Sequence, residues 1–227
     1  MTFDEWKPLA EQGMAEAQHN LGLMCSKGEG IPRDDKAAVK WYLAAAEQGF
    51  AESQTNLGLM YGKGRGVEQD YKEAVKWYRV AAEQGLAQAQ HNLAVMYGRG
   101  QGVAQDYQEA IKWFKLSAEQ GYAQAQYNLG LMYSRGEGVD PDRQEALKWY
   151  RLSAEQGIAG AQCNLGLMYE KGHGVEQDYV EAHKWFNIAG VNGNDIGRKN
   201  KDIVEKKMTP SQIIASVALA KGWMEKL

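Results

Sequence analysis

The sequence predicts an all-α fold: a solenoid of antiparallel helix hairpins built on a 36-residue repeat. Three observations predict it. The tripeptide Glu-Gln-Gly stands at 11–13, 47–49, 83–85, 119–121 and 155–157, always 36 residues apart. Trp41, Trp77, Trp113, Trp149 and Trp185 keep the same step, as do Asn20, Asn56, Asn92, Asn128 and Asn164. No β-rich segment interrupts them, and a period near this length without strands belongs to stacked helical hairpins.

Five repeats run over 15–50, 51–86, 87–122, 123–158 and 159–194. The second serves as the pattern. In its first half, Ala51, Gln54, Gly58 and Tyr61 fall on one helical stripe with Leu57 beside it. Gly58 is a poor helix former, yet its place is always small: Gly22, Gly58, Ala94, Gly130, Gly166. A small residue fixed there implies that a neighbouring helix comes too close for a larger side chain. The segment Lys63-Gly-Arg-Gly-Val-Glu-Gln69 breaks the helix, with Gly64 as its C-terminal cap. The second helix begins at Asp70, which forms a capping-box-like pair with Glu73, repeated at Asp106/Glu109, Asp142/Glu145 and Asp178/Glu181. The first repeat departs, with Asp34 followed by Ala37. Ala74, Trp77, Tyr78, Ala81 and Ala82 then mark a buried face, and Gly85 ends the helix.

A lone hairpin cannot bury its apolar stripe, so the stack needs neighbours and caps. Residues 1–14 read as the second helix of a missing repeat, with Trp6 where Tyr78 sits, Ala10 where Ala82 sits, and Pro8 limiting how early the helix starts. Residues 195–207 read as a degraded first helix. Thr209-Pro210-Ser211-Gln212 is a capping-box signal for a closing helix over 210–225. The whole, 1–227, is expected to be a single solenoid domain.

Composition excludes several classes. The chain has 227 residues and a formal net charge of -3, from 26 Lys and Arg against 29 Asp and Glu, so it carries no global basic field for nucleic acid. Two cysteines cannot build a disulfide framework. No apolar run approaches a membrane span, and the N-terminus MTFDEWKPLAEQG is not a signal peptide. The chain as it stands is expected to be cytoplasmic, or periplasmic or secreted if a leader has been removed.

The pattern resembles the Sel-one-like repeat family, a branch of the tetratricopeptide-like solenoids. The residues that carry the resemblance are those of AEAQHNLGLMCSKGEGIPRDDKAAVKWYLAAAEQGF and its four copies. Their skeleton is Ala, Asn-Leu-Gly, a Tyr replaced by Cys25 in the first copy, Gly-x-Gly-Val, Asp, Lys-Trp-Tyr and Ala-Glu-Gln-Gly. The resemblance implies a right-handed α/α superhelix and a protein-binding scaffold or adaptor, in bacteria serving signalling, secretion, envelope assembly or host interaction. A branch of the family staples each repeat with a disulfide. Cys25 and Cys163 lie at non-equivalent places in different repeats, so this chain departs from that branch.

No catalytic residue, metal site or cofactor is expected. The runs Gly62-x-Gly64-x-Gly66 and Gly98-x-Gly100-x-Gly102 resemble phosphate loops but follow helices rather than strands, which makes them turns. His19, His91, His173 and His183 form no metal-ligand spacing. The tryptophans lie on the apolar stripe and are expected in the core. The tail cluster Arg198, Lys199, Lys201, Lys206 and Lys207 is interrupted by Asp202 and Glu205 and reads as a solvated face.

The candidate binding surface lies on the first helices, which line the concave groove in tetratricopeptide-like solenoids. The fifth place of each repeat varies: His19, Thr55, His91, Tyr127 and Cys163. The sixth is always Asn, from Asn20 to Asn164. The ninth is apolar: Leu23, Leu59, Val95, Leu131 and Leu167. The thirteenth is basic: Lys27, Lys63, Arg99, Arg135 and Lys171. Asn can bond a peptide backbone and Lys or Arg can pair a carboxylate, an arrangement that also resembles the carboxylate-holding residues of some tetratricopeptide domains. A basic residue in a last helical turn also offsets the macrodipole, and an Asn can serve its own turn, so a purely structural role stays open. The expected function is a non-enzymatic scaffold that holds a partner protein or peptide in the groove, as a monomer, with no nucleic acid and no membrane span. The alternative is an immunity or inhibitor protein that occludes a toxin or enzyme. An enzyme finds no support, and assembly through the end repeats is a further class.

Overall fold

The computed structural model describes residues 1–225, and every regular element among them is an α-helix. They fall into two compact units, Met1–Ser117 and the chain from Ala118 onward. The first holds α1 (Phe3–Glu11), α2 (Ala15–Lys27), α3 (Asp35–Glu47), α4 (Ala51–Lys63), α5 (Tyr71–Glu83), α6 (Ala87–Arg99) and α7 (Tyr107–Glu119), the last reaching the division. The second holds α8 (Ala123–Arg135), α9 (Arg143–Glu155), α10 (Ala159–Lys171), α11 (Tyr179–Val191), α12 (Asp195–Glu205) and α13 (Pro210–Met224). Within the first unit α2 packs on α3, α3 on α4, α4 on α5 and α5 on α6; within the second α8, α9, α10 and α11 pack in the same succession. Both α12 and α13 close on α11.

The loops follow from their glycines. Each first helix ends at a left-handed residue, Gly28, Gly64, Gly100, Gly136 or Gly172, a conformation without penalty only for glycine. A second glycine has another reason. Gly66 has φ +71°, and a Cβ there would collide with the carbonyl of Asp35 at the start of the preceding repeat's second helix. Gly102 meets Tyr71 and Gly174 meets Arg143 in the same way, so this glycine is what lets successive repeats come together. The second helices start on Asp34, Asp70, Asp142 and Asp178, whose carboxylates accept backbone N–H bonds of the first turn. Only half of the expected capping box forms at Asp70: the Glu73 carboxylate turns to Lys76 instead, at 3.3 Å.

The small residue of each first helix has a visible cause. A Cβ on Gly22, Gly58, Gly130 or Gly166 would lie 2.5–2.8 Å from ring atoms of Tyr42, Tyr78, Tyr150 or Phe186. Each of these rings packs against bare backbone on the first helix of its own repeat. Between repeats, a buried glutamine spans three helices. Gln54 on α4 donates to the Ala46 carbonyl at the end of α3 at 3.0 Å and accepts from Gln84 after α5 at 2.8 Å. Gln18 repeats this with Ala10 and Gln48, Gln126 with Ala118 and Gln156, and Gln162 with Ala154 and Asn192. The Gln of Glu-Gln-Gly is thus one end of this bridge.

Two expectations change. The deeper aromatic position is the one after tryptophan: Tyr42, Tyr78, Phe114, Tyr150 and Phe186 are all buried, whereas only Trp149 and Trp185 among the five repeat tryptophans are. Trp41, Trp77 and Trp113 are half-buried and pack against the margin of the core. Pro8 does not delimit α1 but lies inside it; a capping box between Thr2 and Glu5 starts the helix earlier, and the loss of one N–H is tolerated in an exposed end helix.

The C-terminal cap is held by a polar cluster. His183 on α11 has no exposed surface; its Nε2 lies 2.8 Å from Glu205 Oε1 on α12 and its Nδ1 2.6 Å from Ser216 Oγ on α13. Ser216 Oγ also donates to the Ile213 carbonyl at 2.8 Å. The equivalent places in the other repeats are Val39, Val75, Ile111 and Leu147. The imidazole thus appears only where a repeat meets the cap rather than another repeat. The Glu205 carboxyl is held below its usual range by the His183 hydrogen bond, with Lys201 adding to it.

Two stability outcomes follow. Gly49 and Gly66 both have positive φ, but a Cβ on Gly49 meets nothing within 4 Å. Gly49→Ala should cost about 1 kcal/mol in urea unfolding, and Gly66→Ala about 3 kcal/mol or more, since backbone must move. Ser216→Ala strands a buried imidazole nitrogen and should cost about 1–3 kcal/mol. Hydrogen exchange should place that loss in α12 and α13, with α8 to α10 unchanged.

Candidate functional site: repeated pockets between first helices

The five variable places sit deeper than expected. Thr55 and Cys163 are buried, and the Thr55 hydroxyl donates to the Ala51 carbonyl at 2.9 Å. His19 bonds Ser53 Oγ at 2.8 Å with its ring 4.8 Å from that of Phe50. The ring of His91 lies 5.6 Å from Phe114, and that of Tyr127 lies 6.2 Å from Tyr150. At His19, His91 and Tyr127 the fifth place therefore packs, half-buried, against an aromatic of its own repeat. Burial pushes the pKa of both His19 and His91 down.

The other three series do come together. In the first unit a pocket of about 220 Å³ opens between α4 and α6 over Tyr78 of α5. Leu59 and Lys63 form one wall, and Asn92, Val95 and Arg99 the other. In the second unit, 72 residues on, Leu131 and Arg135 face Asn164, Leu167 and Lys171 over Tyr150, around about 230 Å³. Each pocket thus pairs the ninth and thirteenth places of one repeat with the sixth, ninth and thirteenth of the next. The leucines and asparagines are half-buried and the basic residues exposed, and no carboxylate lines either pocket. Lys63, Arg99 and Lys171 make no ion pair among the described residues, while Arg135 touches Glu137 at 3.5 Å. Burial pushes the Tyr150 hydroxyl up to about 12, with Ser134 and Asn164 beside it acting against the rise. Leu23, Asn20 and Lys27 on α2, Asn56 on α4 and Asn128 on α8 take the same places in their helices without lining either pocket.

Several lining residues were missed, among them Gln101, Ser134 and His173. His173 lies in the loop after α10 and closes the second pocket where Gln101 closes the first. The signal was available: His173 follows the thirteenth place by two, inside a glycine turn whose other residues repeat.

The remaining chemistry is structural. Ser216, His183 and Glu205 name the residue types of an acyl-hydrolase triad, but Ser216 and His183 have no exposed surface, so no acyl carbon reaches the hydroxyl. Among the described residues no cluster of three or more His, Cys, Asp or Glu is placed to hold a metal ion, and no helix is long and apolar enough to cross a membrane. Cys25 and Cys163 are free and buried, and burial pushes both thiols up. In the tail, Arg198 pairs with Asp195, Lys201 with Glu205, and Lys207 with Glu170 at 2.8 Å.

A family model for the Sel1 repeat matches residues 15–50, 51–86, 87–122, 123–158 and 159–194. No curated protein matches the chain. Among solved structures, a protective antigen of uropathogenic Escherichia coli displaying an SLR fold is 39% identical with a TM-score of 0.92, over 97% of this chain and 48% of that one. A Sel1 repeat protein from Oxalobacter formigenes is 37% identical with a TM-score of 0.80, over 87% of this chain and 57% of its own. The chain thus spans about half the length of these relatives. An immunity protein from Pseudomonas aeruginosa, 21% identical with a TM-score of 0.55 over 86% of this chain and 75% of its own, shares the fold alone. The glycine turns, the aromatic laid on a small residue and the 36-residue step are those of the matched repeats, and this chain belongs to the Sel1 repeat family.

Proposed function

We propose that this chain is a non-enzymatic scaffold that holds a partner protein or peptide along its first helices, with acidic groups of the partner seated in the two pockets. Sel1 repeats are protein-interaction scaffolds, which gives the general role. The observation that carries the finer reading is the pairing of Lys63 with Arg99, two cations without an ion pair that line one pocket with Asn92 and no carboxylate. Like charges held together without an acid are relieved by an anion, and Asn offers a donor and an acceptor to the backbone beside it. Leu59 and Val95 supply the apolar wall that excludes water from the contact. A monomer suffices, because each pocket is complete within its own unit. A bacterial setting in signalling, secretion or host interaction accords with the sources of the relatives. The alternative, an immunity protein that occludes a toxin or enzyme, has the shared fold in its favour and no residue that singles it out.

Capture from lysate of the source cell, read by quantitative mass spectrometry, tests this. A Lys63→Glu/Arg99→Glu variant should lose the bound protein by about 10-fold or more, as expected when a paired charge is reversed. Lys40→Glu, an exposed change on α3, should keep it. Equal capture by the groove variant and the wild type would sink the assignment.

A further inference from the structure

The two pockets share a frame and a pair of cations but differ in two lining residues. Gly62 and Gln101 in the first are replaced by Ser134 and His173 in the second, which therefore gathers Arg135, Lys171 and His173 with a hydroxyl and the Asn164 amide. At the fifteenth place of the five repeats stand Glu29, Arg65, Gln101, Glu137 and His173, so the histidine is peculiar to this pocket. Its neighbours are positive. Burial first, then the charges of Arg143 and Lys171, push the His173 pKa down, which leaves the imidazole as a hydrogen-bonding group beside the two cations. Among the described residues the acid in contact is Glu137 on Arg135, at 3.5 Å between exposed side chains, an arrangement worth little in water.

We propose that the pocket of the second unit is a phosphate-monoester site, taking a phosphorylated side chain of the partner. The inference rests on the scaffold reading and adds to it that this pocket selects phosphate over carboxylate. A phosphate monoester brings close to two negative charges and three acceptor oxygens. Arg135, Lys171, His173, Ser134 and Asn164 supply donors for all three, more than a single carboxylate can use. The volume of about 230 Å³ exceeds the phosphate itself and leaves Leu131 and Leu167 to hold the carbon skeleton. The first pocket, with two cations and Gln101, suits a carboxylate.

Calorimetry on the full chain at neutral pH, with phenyl phosphate, benzoate and inorganic phosphate as probes, tests this. Phenyl phosphate should bind the second pocket about 10-fold tighter than benzoate, the scale of one added charge-assisted hydrogen bond. His173→Gln, which installs the first pocket's residue, should bring the two probes to parity while thermal unfolding stays unchanged. Arg135→Ala/Lys171→Ala should abolish phenyl phosphate binding and leave only the benzoate binding of the first pocket, and Lys63→Ala/Arg99→Ala should leave phenyl phosphate binding intact. Phenyl phosphate tighter than inorganic phosphate supports an ester carried by a larger molecule; equal affinity overturns that assignment in favour of the free ion. Benzoate binding as tightly as phenyl phosphate in the wild type, or a preference that survives His173→Gln, overturns the site altogether. Partner capture lost through the Lys63 and Arg99 pocket alongside absent phosphate binding would remove this inference and leave the scaffold reading standing.

Discussion

The buried glutamine bridge is the constraint on which the rest depends. Apolar stripes bring helices together but tolerate sliding, because burial is roughly indifferent to register. The amide of Gln54 does not tolerate it. It must meet the Ala46 carbonyl before it and the Gln84 amide beyond it at the same time. A buried amide left half-paired is costly, so three consecutive helices lock into one arrangement. Once they are locked, Tyr78 lies on Gly58, Gly66 can pass the Asp35 carbonyl, and the sixth, ninth and thirteenth places of neighbouring first helices meet across a pocket. The pockets are therefore a by-product of register.

The division of labour along each first helix explains why the fold was legible in the sequence and the site only partly so. Period, glycine turns, Asp caps and the small-residue position are each dictated by local backbone chemistry, and each repeats without regard to what a partner needs. The pocket frame was legible for the same reason: Asn, an aliphatic residue and a basic residue recur at fixed places. The fifth place was read as a candidate contact because it varies, and the structure adds a packing role there that the sequence did not show. Thr55 and Cys163 are buried, and His19, His91 and Tyr127 pack on aromatic rings. Several side chains can fill that wedge, so the residue varies through permissive packing.

His173 and His183 were hidden for opposite reasons. His173 sits in a turn whose glycines dominate the pattern, and its place becomes meaningful only once loop and helices are seen to share a pocket. His183 occupies a place that is aliphatic elsewhere, and its partners lie 22 and 33 residues away in segments that carry no repeat. Periodicity says where a repeat departs from its fellows, but partners in non-repeating chain carry no matching signal.

The imidazole at the cap also bears on how such a chain can lengthen. Tandem arrays grow when a stretch of coding sequence is copied in place, and each copy must be able to neighbour any other. Residues 51–86 meet that demand, since Val75 offers the next hairpin an oily contact. Residues 159–194 do not, because a second copy inserted behind the first would present the upstream His183 to a helix that supplies neither Glu205 nor Ser216. Duplication is therefore easier to accommodate among the hairpins with an aliphatic residue at this place than at the one that carries the imidazole.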